Sequence, residues 1–192
     1  MFEAFEDDHK FVAPHTRQSS RQFDGHELIN TLRKVLEEEQ MQAEYLELEI
    51  TETILMKNAK PDIEALQALS SMGMRFAIDD FGTGYSSLTY LKRFPIDILK
   101  IDKAFVHDVT SNADDAAIVR AIITMAHSLG MKTVAEGVET REQLDFLRTQ
   151  GCDYAQGYYF SQPLSGPEIE HLMKVNLPLN TMNPVHDIIH SP

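Results

Sequence analysis

Cysteine is nearly absent. Cys152 is the only one in 192 residues, so no disulfide can form within the chain, and a reducing, cytoplasmic setting is the expectation. Long apolar runs are missing too. The best candidate, Ala116 to Ala126, is broken by Arg120 and falls short of the ~20 residues that cross a bilayer, so no membrane contact is expected from this chain. The N-terminus carries Glu3, Glu6, Asp7 and Asp8 where a secretory leader needs cations. Positive charge is scarce throughout: 17 Lys and Arg stand against 30 Asp and Glu, a formal net charge of -13. That argues against a nucleic-acid polymer or an anionic membrane as partner. A small anionic ligand stays open, because bound divalent cations can reverse the local field. Low-complexity tracts and close internal repeats are also lacking.

What is present fits one globular domain with a substantial core, at 43% hydrophobic and 24% charged residues. From residue 24 onward, helix and strand signals alternate. Asp24 and Glu27 open a helix as a capping box, with Leu28, Leu32 and Val35-Leu36 as its stripe. Tyr45 to Ile50 alternates with period two, as a strand does. Pro61 suits the first turn of a helix bearing Ile63, Leu66 and Leu69 on one face. A strand runs through Ile78, a short helix spans Ser86 to Phe94, and Ile96 to Ile101 is the next strand. A helix over Asn112 to Leu129 is closed by Gly130. Thr133 to Ala135 forms a strand, Thr140 with Gln143 caps a helix, Tyr154 to Phe160 forms the last strand, and Ser165 with Glu168 starts a short helix. Alternating strands and helices imply a parallel sheet wrapped by helices. Glu49, Asp79-Asp80, Lys100, Glu136 and Gln156 all fall at strand ends on the C-terminal side. Polar residues at five successive strand ends favour a closed barrel over a doubly wound sheet, which gathers its ligand at one switch point.

Each of these residues has a plain structural reading. Glu49 could be a solvated strand end, Asp79-Asp80 could cap a turn, Lys100 could be a buried ion-paired lysine, and Glu136 and Gln156 carry the same ambiguity. Together they describe one pocket lined by carboxylates, a lysine and an amide. Adjacent ionised carboxylates repel unless a cation lies between them, and oxygen ligands suit Mg²⁺ or Mn²⁺ better than zinc. Such a set fits metal-assisted phosphoester hydrolysis. His107 and His127 lack metal-ligand spacing and read as structural or surface residues.

The ordered motifs Glu49-Ile50-Thr51-Glu52, Asp79-Asp80-Phe81-Gly82-Thr83-Gly84-Tyr85-Ser86-Ser87-Leu88, Leu99-Lys100-Ile101-Asp102, Ala135-Glu136-Gly137-Val138-Glu139 and Gln156-Gly157-Tyr158 resemble the EAL family of cyclic-di-GMP phosphodiesterases. The resemblance implies a TIM-type (β/α) barrel that hydrolyses cyclic-di-GMP to linear pGpG with Mg²⁺ or Mn²⁺. It implies metal-ligand roles for Glu49, Asp79 and Asp80. Lys100 would hold or polarise the attacking water, and Glu136 would act as general base or orient the water. Gln156 would order the site, Glu52 would pin the loop from Phe81 to Ser87, and Glu139 would support the pocket. A homodimer or a protein partner is a further expectation.

The chain departs from that pattern at its start. The family's Glu-Ala-Leu strand is expected well before Glu49, followed by a long helical stretch for which there is too little chain. Glu3-Ala4-Phe5 mimics the motif but lies too close to the segment from Ser19 to Phe23. A second family ligand, an asparagine, is replaced by Arg17, and Pro14 interrupts the strand expected there. Turned into the pocket, Arg17 would repel each unit of metal charge by about 4 kcal/mol at about 4 Å and an effective dielectric of about 20. The expected organisation is therefore a divergent segment over 1–18, a partial barrel over 19–174 lacking its first strand-helix unit, and a loose tail over 175–192. A barrel open in this way has unpaired edges. Two functions are compatible with this organisation: a phosphodiesterase of weak or no turnover as this truncated or degenerate chain, and a module that binds cyclic-di-GMP or a protein without catalysis.

Overall fold

The computed structural model describes residues 2–4, 25–52, 61–82 and 91–168. Arg17, Pro14, the loop beyond Gly82, the start of the segment from Ser86 to Phe94, and the tail over 175–192 lie outside the described residues.

Helix α1 spans Gly25–Glu38. Leu36 is buried and Leu28, Ile29 and Leu32 pack beside it, but Val35 is 40% exposed. Val35 falls at the edge of the stripe, and the core takes Leu36. Tyr45, the expected start of a strand, lies instead in a 3₁₀ turn at Ala43–Tyr45 and is exposed. Strand β2 follows at Glu47–Thr51, then α2 at Pro61–Ser71, with Leu66 and Leu69 buried, and β3 at Arg75–Phe81.

Strand β4 is Ile98–Ile101, two residues shorter than its apolar pattern. Asp97 leaves the strand to brace its entrance: its Oδ2 accepts from Phe76 N at 2.9 Å. A short helix that periodicity does not reveal, α3 at Lys103–His107, begins directly after β4 because Asp102 caps it, accepting from Ala104 N at 2.7 Å. Helix α4 spans Ala113–Ser128, with Asn112 as its cap and Gly130 at φ +79 just past its end. Strand β5 is Lys132–Ala135, and α5 is Arg141–Thr149 with the Thr140–Gln143 capping box formed. Strand β6, at Tyr154–Gln156, stops short of the expected Phe160 because the chain turns at Gly157.

With Phe2–Ala4 as β1, the strands form one sheet in the order β1-β6-β5-β4-β3-β2. Strands β2 to β6 run parallel, and β4 is buried at every position, as in a parallel sheet covered on both faces. The sheet is the partial barrel expected, with one difference. Residues Phe2–Ala4 form a short strand, β1, paired antiparallel with β6, with Phe2 opposite Gln156. The edge of β6 is therefore covered, where the open barrel expected from the sequence has a bare one.

Alternation along the strands sorts the side chains. Phe76, Ile78, Leu99, Ile101 and Ala155 join the main core with Val119, Leu144 and Leu147 from the helices. Ala77, Ile98 and Val134 form a separate small cluster with Tyr154. Two residues further along each of those four strands, on the same face, stand Asp79, Lys100, Glu136 and Gln156. The inner surface of the sheet is thus apolar low down and ionic at its C-terminal rim.

Candidate metal centre

The rim residues meet. Lys100 Nζ lies 2.5 Å from Glu49 Oε1, 2.6 Å from Glu136 Oε1 and 3.2 Å from Asp79 Oδ1. Gln156 Nε2 donates to Glu136 Oε1 at 2.9 Å. Asp79, Asp80 and Glu136 can each present a carboxylate oxygen such that all three lie within 4.8 Å of one another. They line a cavity of about 530 Å³ that also meets Glu49, Lys100, Gln156, Glu139, Lys103 and Tyr158. All the pocket residues named from the sequence come together here except Arg17, outside the described residues, and Glu52.

Consecutive strand residues ordinarily point to opposite faces, so Asp79 and Asp80 should diverge. A register irregularity prevents this. Ile78 pairs with Leu99 and Phe81 with Ile101, so three steps on β3 match two on β4. Asp80 absorbs the extra residue in the left-handed region at φ 55. Phe81 then returns to the main core beside Ile78, and both carboxylates are left to line the pocket. The sequence signal for this device is the run Ile78-Asp79-Asp80-Phe81, where two polar residues separate core residues that strict alternation would space by one or three.

Glu52 is buried at the end of β2, and its Oε2 accepts from Gly82 N at 3.0 Å. It holds the start of the loop after β3; the rest of that loop lies outside the described residues. Glu139 lines the pocket while its backbone is held from behind. Buried Gln143 accepts from Glu139 N at 2.7 Å and Thr140 N at 2.9 Å, and its Nε2 donates to His107 O at 2.9 Å. The sequence shows Gln143 only as a helix cap; its bond to the end of α3 depends on tertiary packing. His107 and His127 stay outside the cavity, beside Asp108 and Asp153.

The electrostatics arise from burial and proximity. Burial opposes the Lys100 ammonium, but Glu136 and Glu49 together outweigh it and hold its pKa above the usual lysine value. Burial lifts the Glu136 carboxyl above its usual range, with Asp79 and Glu49 adding to the rise and Lys100 opposing it. Hard oxygen donors from two strand ends, gathered at one rim, suit a divalent cation such as Mg²⁺, Mn²⁺ or Ca²⁺.

A family model described as the EAL domain matches residues 2–163. The cyclic di-GMP phosphodiesterase NbdA of Pseudomonas aeruginosa is 47% identical over 147 residues, covering 77% of this chain and 19% of that protein. Among solved structures, the PaMucR phosphodiesterase in complex with c-di-GMP aligns with a TM-score of 0.76 at 42% identity, covering 79% of this chain and 62% of that one. Klebsiella pneumoniae BlrP1, with manganese and cy-diGMP, aligns with a TM-score of 0.67 at 36% identity, covering 71% of this chain and 35% of that one. The chain spans about a fifth of the length of the curated relatives it matches. Among the described residues, no helix is long and apolar enough to cross a membrane.

Proposed function

We propose, since the chain belongs to the EAL domain family, that it is a divalent-metal-dependent phosphodiesterase domain acting on cyclic-di-GMP, with slow turnover in this form. The observation that carries the reading is the convergence of Asp79, Asp80 and Glu136 at one strand-end rim. Asp79, Asp80 and Glu49 would hold Mg²⁺ or Mn²⁺, with Glu136 facing the same space. A bound divalent cation supplies charge neutralisation at the phosphodiester and acidifies water. Lys100 orients the attacking water, and Glu136 accepts its proton, fixed in place by the amide of Gln156. Water adds to one phosphorus, one P–O bond breaks, and the leaving sugar oxygen takes up a proton, giving linear pGpG. Glu52 and Glu139 support the loops around the pocket. Residues 1–18 are a divergent entry to this domain and 175–192 a tail, and the setting is cytoplasmic.

A second reading, cyclic-di-GMP binding without turnover, is favoured by Arg17, a cation where the family supplies a neutral ligand. One experiment separates the two. The purified chain is incubated with Mn²⁺ and cyclic-di-GMP, products are resolved by chromatography, and binding is followed by calorimetry. The expected result is slow, Mn²⁺-dependent formation of pGpG that Asp79→Ala abolishes. Binding without product supports the second reading, and neither binding nor product overturns both.

A further inference from the structure

We infer that Lys100 is the resident counter-ion of the centre, and that a divalent cation binds by competing with it for the carboxylates they share. The inference rests on the proposed function, because it concerns the same carboxylates.

An ammonium has three donors, and Lys100 directs one to each of Glu49, Asp79 and Glu136. The Lys100, Glu49 and Asp79 side chains are 4%, 6% and 3% exposed. Carboxylates gathered this deeply do not remain together without a cation. In the metal-free protein, Lys100 is that cation. Two of its three partners, Asp79 and Glu136, also belong to the set that converges with Asp80. The ammonium site and the divalent site therefore overlap. Glu49, the third partner of Lys100, is also one of the proposed metal ligands, so every carboxylate that Lys100 holds faces the divalent site.

This overlap has two consequences. The pocket is built before metal arrives, because Lys100 holds the ends of β2, β3 and β5 in place. Metal then binds against a fixed positive charge on shared ligands, which weakens it. The sequence places Lys100 in the centre, yet nothing in a lysine's usual role of orienting water requires that removing its charge should tighten metal binding.

The test compares wild type with Lys100→Met, which keeps the stem without the charge, and Lys100→Arg, which keeps the charge. Mn²⁺ affinity is measured by calorimetry at about pH 8, where carboxylates are ionised. Thermal unfolding is followed in EDTA and in saturating Mn²⁺. Lys100→Met should bind Mn²⁺ at least about tenfold more tightly. It should melt below wild type in EDTA and gain more from Mn²⁺ than wild type does. Lys100→Arg should bind no more tightly than wild type. A Met variant that folds only with Mn²⁺ meets the prediction; if it fails to fold under both conditions, Lys100→Gln is measured in its place against the same criteria. Equal or weaker Mn²⁺ binding by the neutral variant overturns this inference alone. Mn²⁺ binding by none of the proteins overturns it together with the proposed function.

Discussion

Replacing Gly157 with alanine should damage both the fold and the metal centre, and the structure sets the scale. Gly157 follows Gln156 at the end of β6 and lies against the backbone of Val138. Val138 N donates to Gln156 O at 3.0 Å, and Tyr159 N donates to Val138 O at 2.9 Å. A methyl group at Gly157 would stand 2.2 Å from Val138 O, 2.3 Å from Val138 N and 2.8 Å from Val138 C. These are backbone atoms, so no rotamer change relieves the overlap, and about 1 Å of movement is needed to restore ordinary contact. Both backbone hydrogen bonds are strained at about 1 kcal/mol each, and overpacking adds about 1–3 kcal/mol. At about 2–4 °C per kcal/mol for a chain of this size, the melting temperature should fall by about 6–20 °C. Val138 is two residues from Glu136, so the same movement pulls Glu136 from Gln156 and Lys100, and Mn²⁺ affinity should fall with it. Gly151→Ala is the control. Its backbone is left-handed at φ +77, but among the described residues nothing lies within 4 Å of the added carbon, so the cost is the conformational strain of about 1–2 kcal/mol and the metal centre is untouched. Circular dichroism melts and Mn²⁺ calorimetry on the two variants decide the matter. A Gly157→Ala protein that melts with Gly151→Ala and binds Mn²⁺ like wild type would refute the packing argument.

Asp80 separates backbone from ligand. Asparagine tolerates the left-handed conformation at φ 55, so Asp80→Asn should melt close to wild type yet bind Mn²⁺ more weakly, whereas Asp80→Val should also lose about 2 kcal/mol of stability; melts showing the two equally stable would contradict this. At the opposite end of the sheet, burial would raise the Asp153 carboxyl, but Lys132 and His127 at 2.7 Å, with Thr133 N at 2.8 Å and Thr133 Oγ1 at 2.9 Å, outweigh it and hold the pKa below the usual range. A depressed carboxyl contributes stability above its unfolded pKa of about 3.9 and loses it as pH falls through the lower folded value. The melting temperature of Asp153→Asn should therefore fall less steeply than that of wild type below about pH 4, with Mn²⁺ affinity unchanged; an identical acid slope would remove Asp153 from the explanation.

Local chemistry made much of this architecture legible. Apolar runs ending in Glu49, Asp79, Lys100, Glu136 and Gln156 place polar groups at strand ends, and in a parallel sheet those ends share one rim. The Thr140–Gln143 box is likewise a short-range signal, and it forms. What depends on register or on distant partners was hidden. The irregularity that turns Asp79 and Asp80 to one side is defined only against β4. Helix α3 has one turn and no period to detect, and it forms because Asp102 caps it. Residues 2–4 are too few to read as a strand until β6 is there to pair with them. Gln143 looks like a cap in sequence and ties the loop before α5 to the end of α3 because His107 comes to lie beside it.

The most direct measurement is X-ray diffraction from crystals grown with Mn²⁺, using anomalous scattering to locate the ion. A peak at about 2.0–2.6 Å from carboxylate oxygens of Asp79 and Asp80, with Glu136 facing it, is the predicted result. Asp79, Asp80 and Glu136 turned away from one another, with manganese absent or bound elsewhere, would contradict a common divalent-cation centre at this rim.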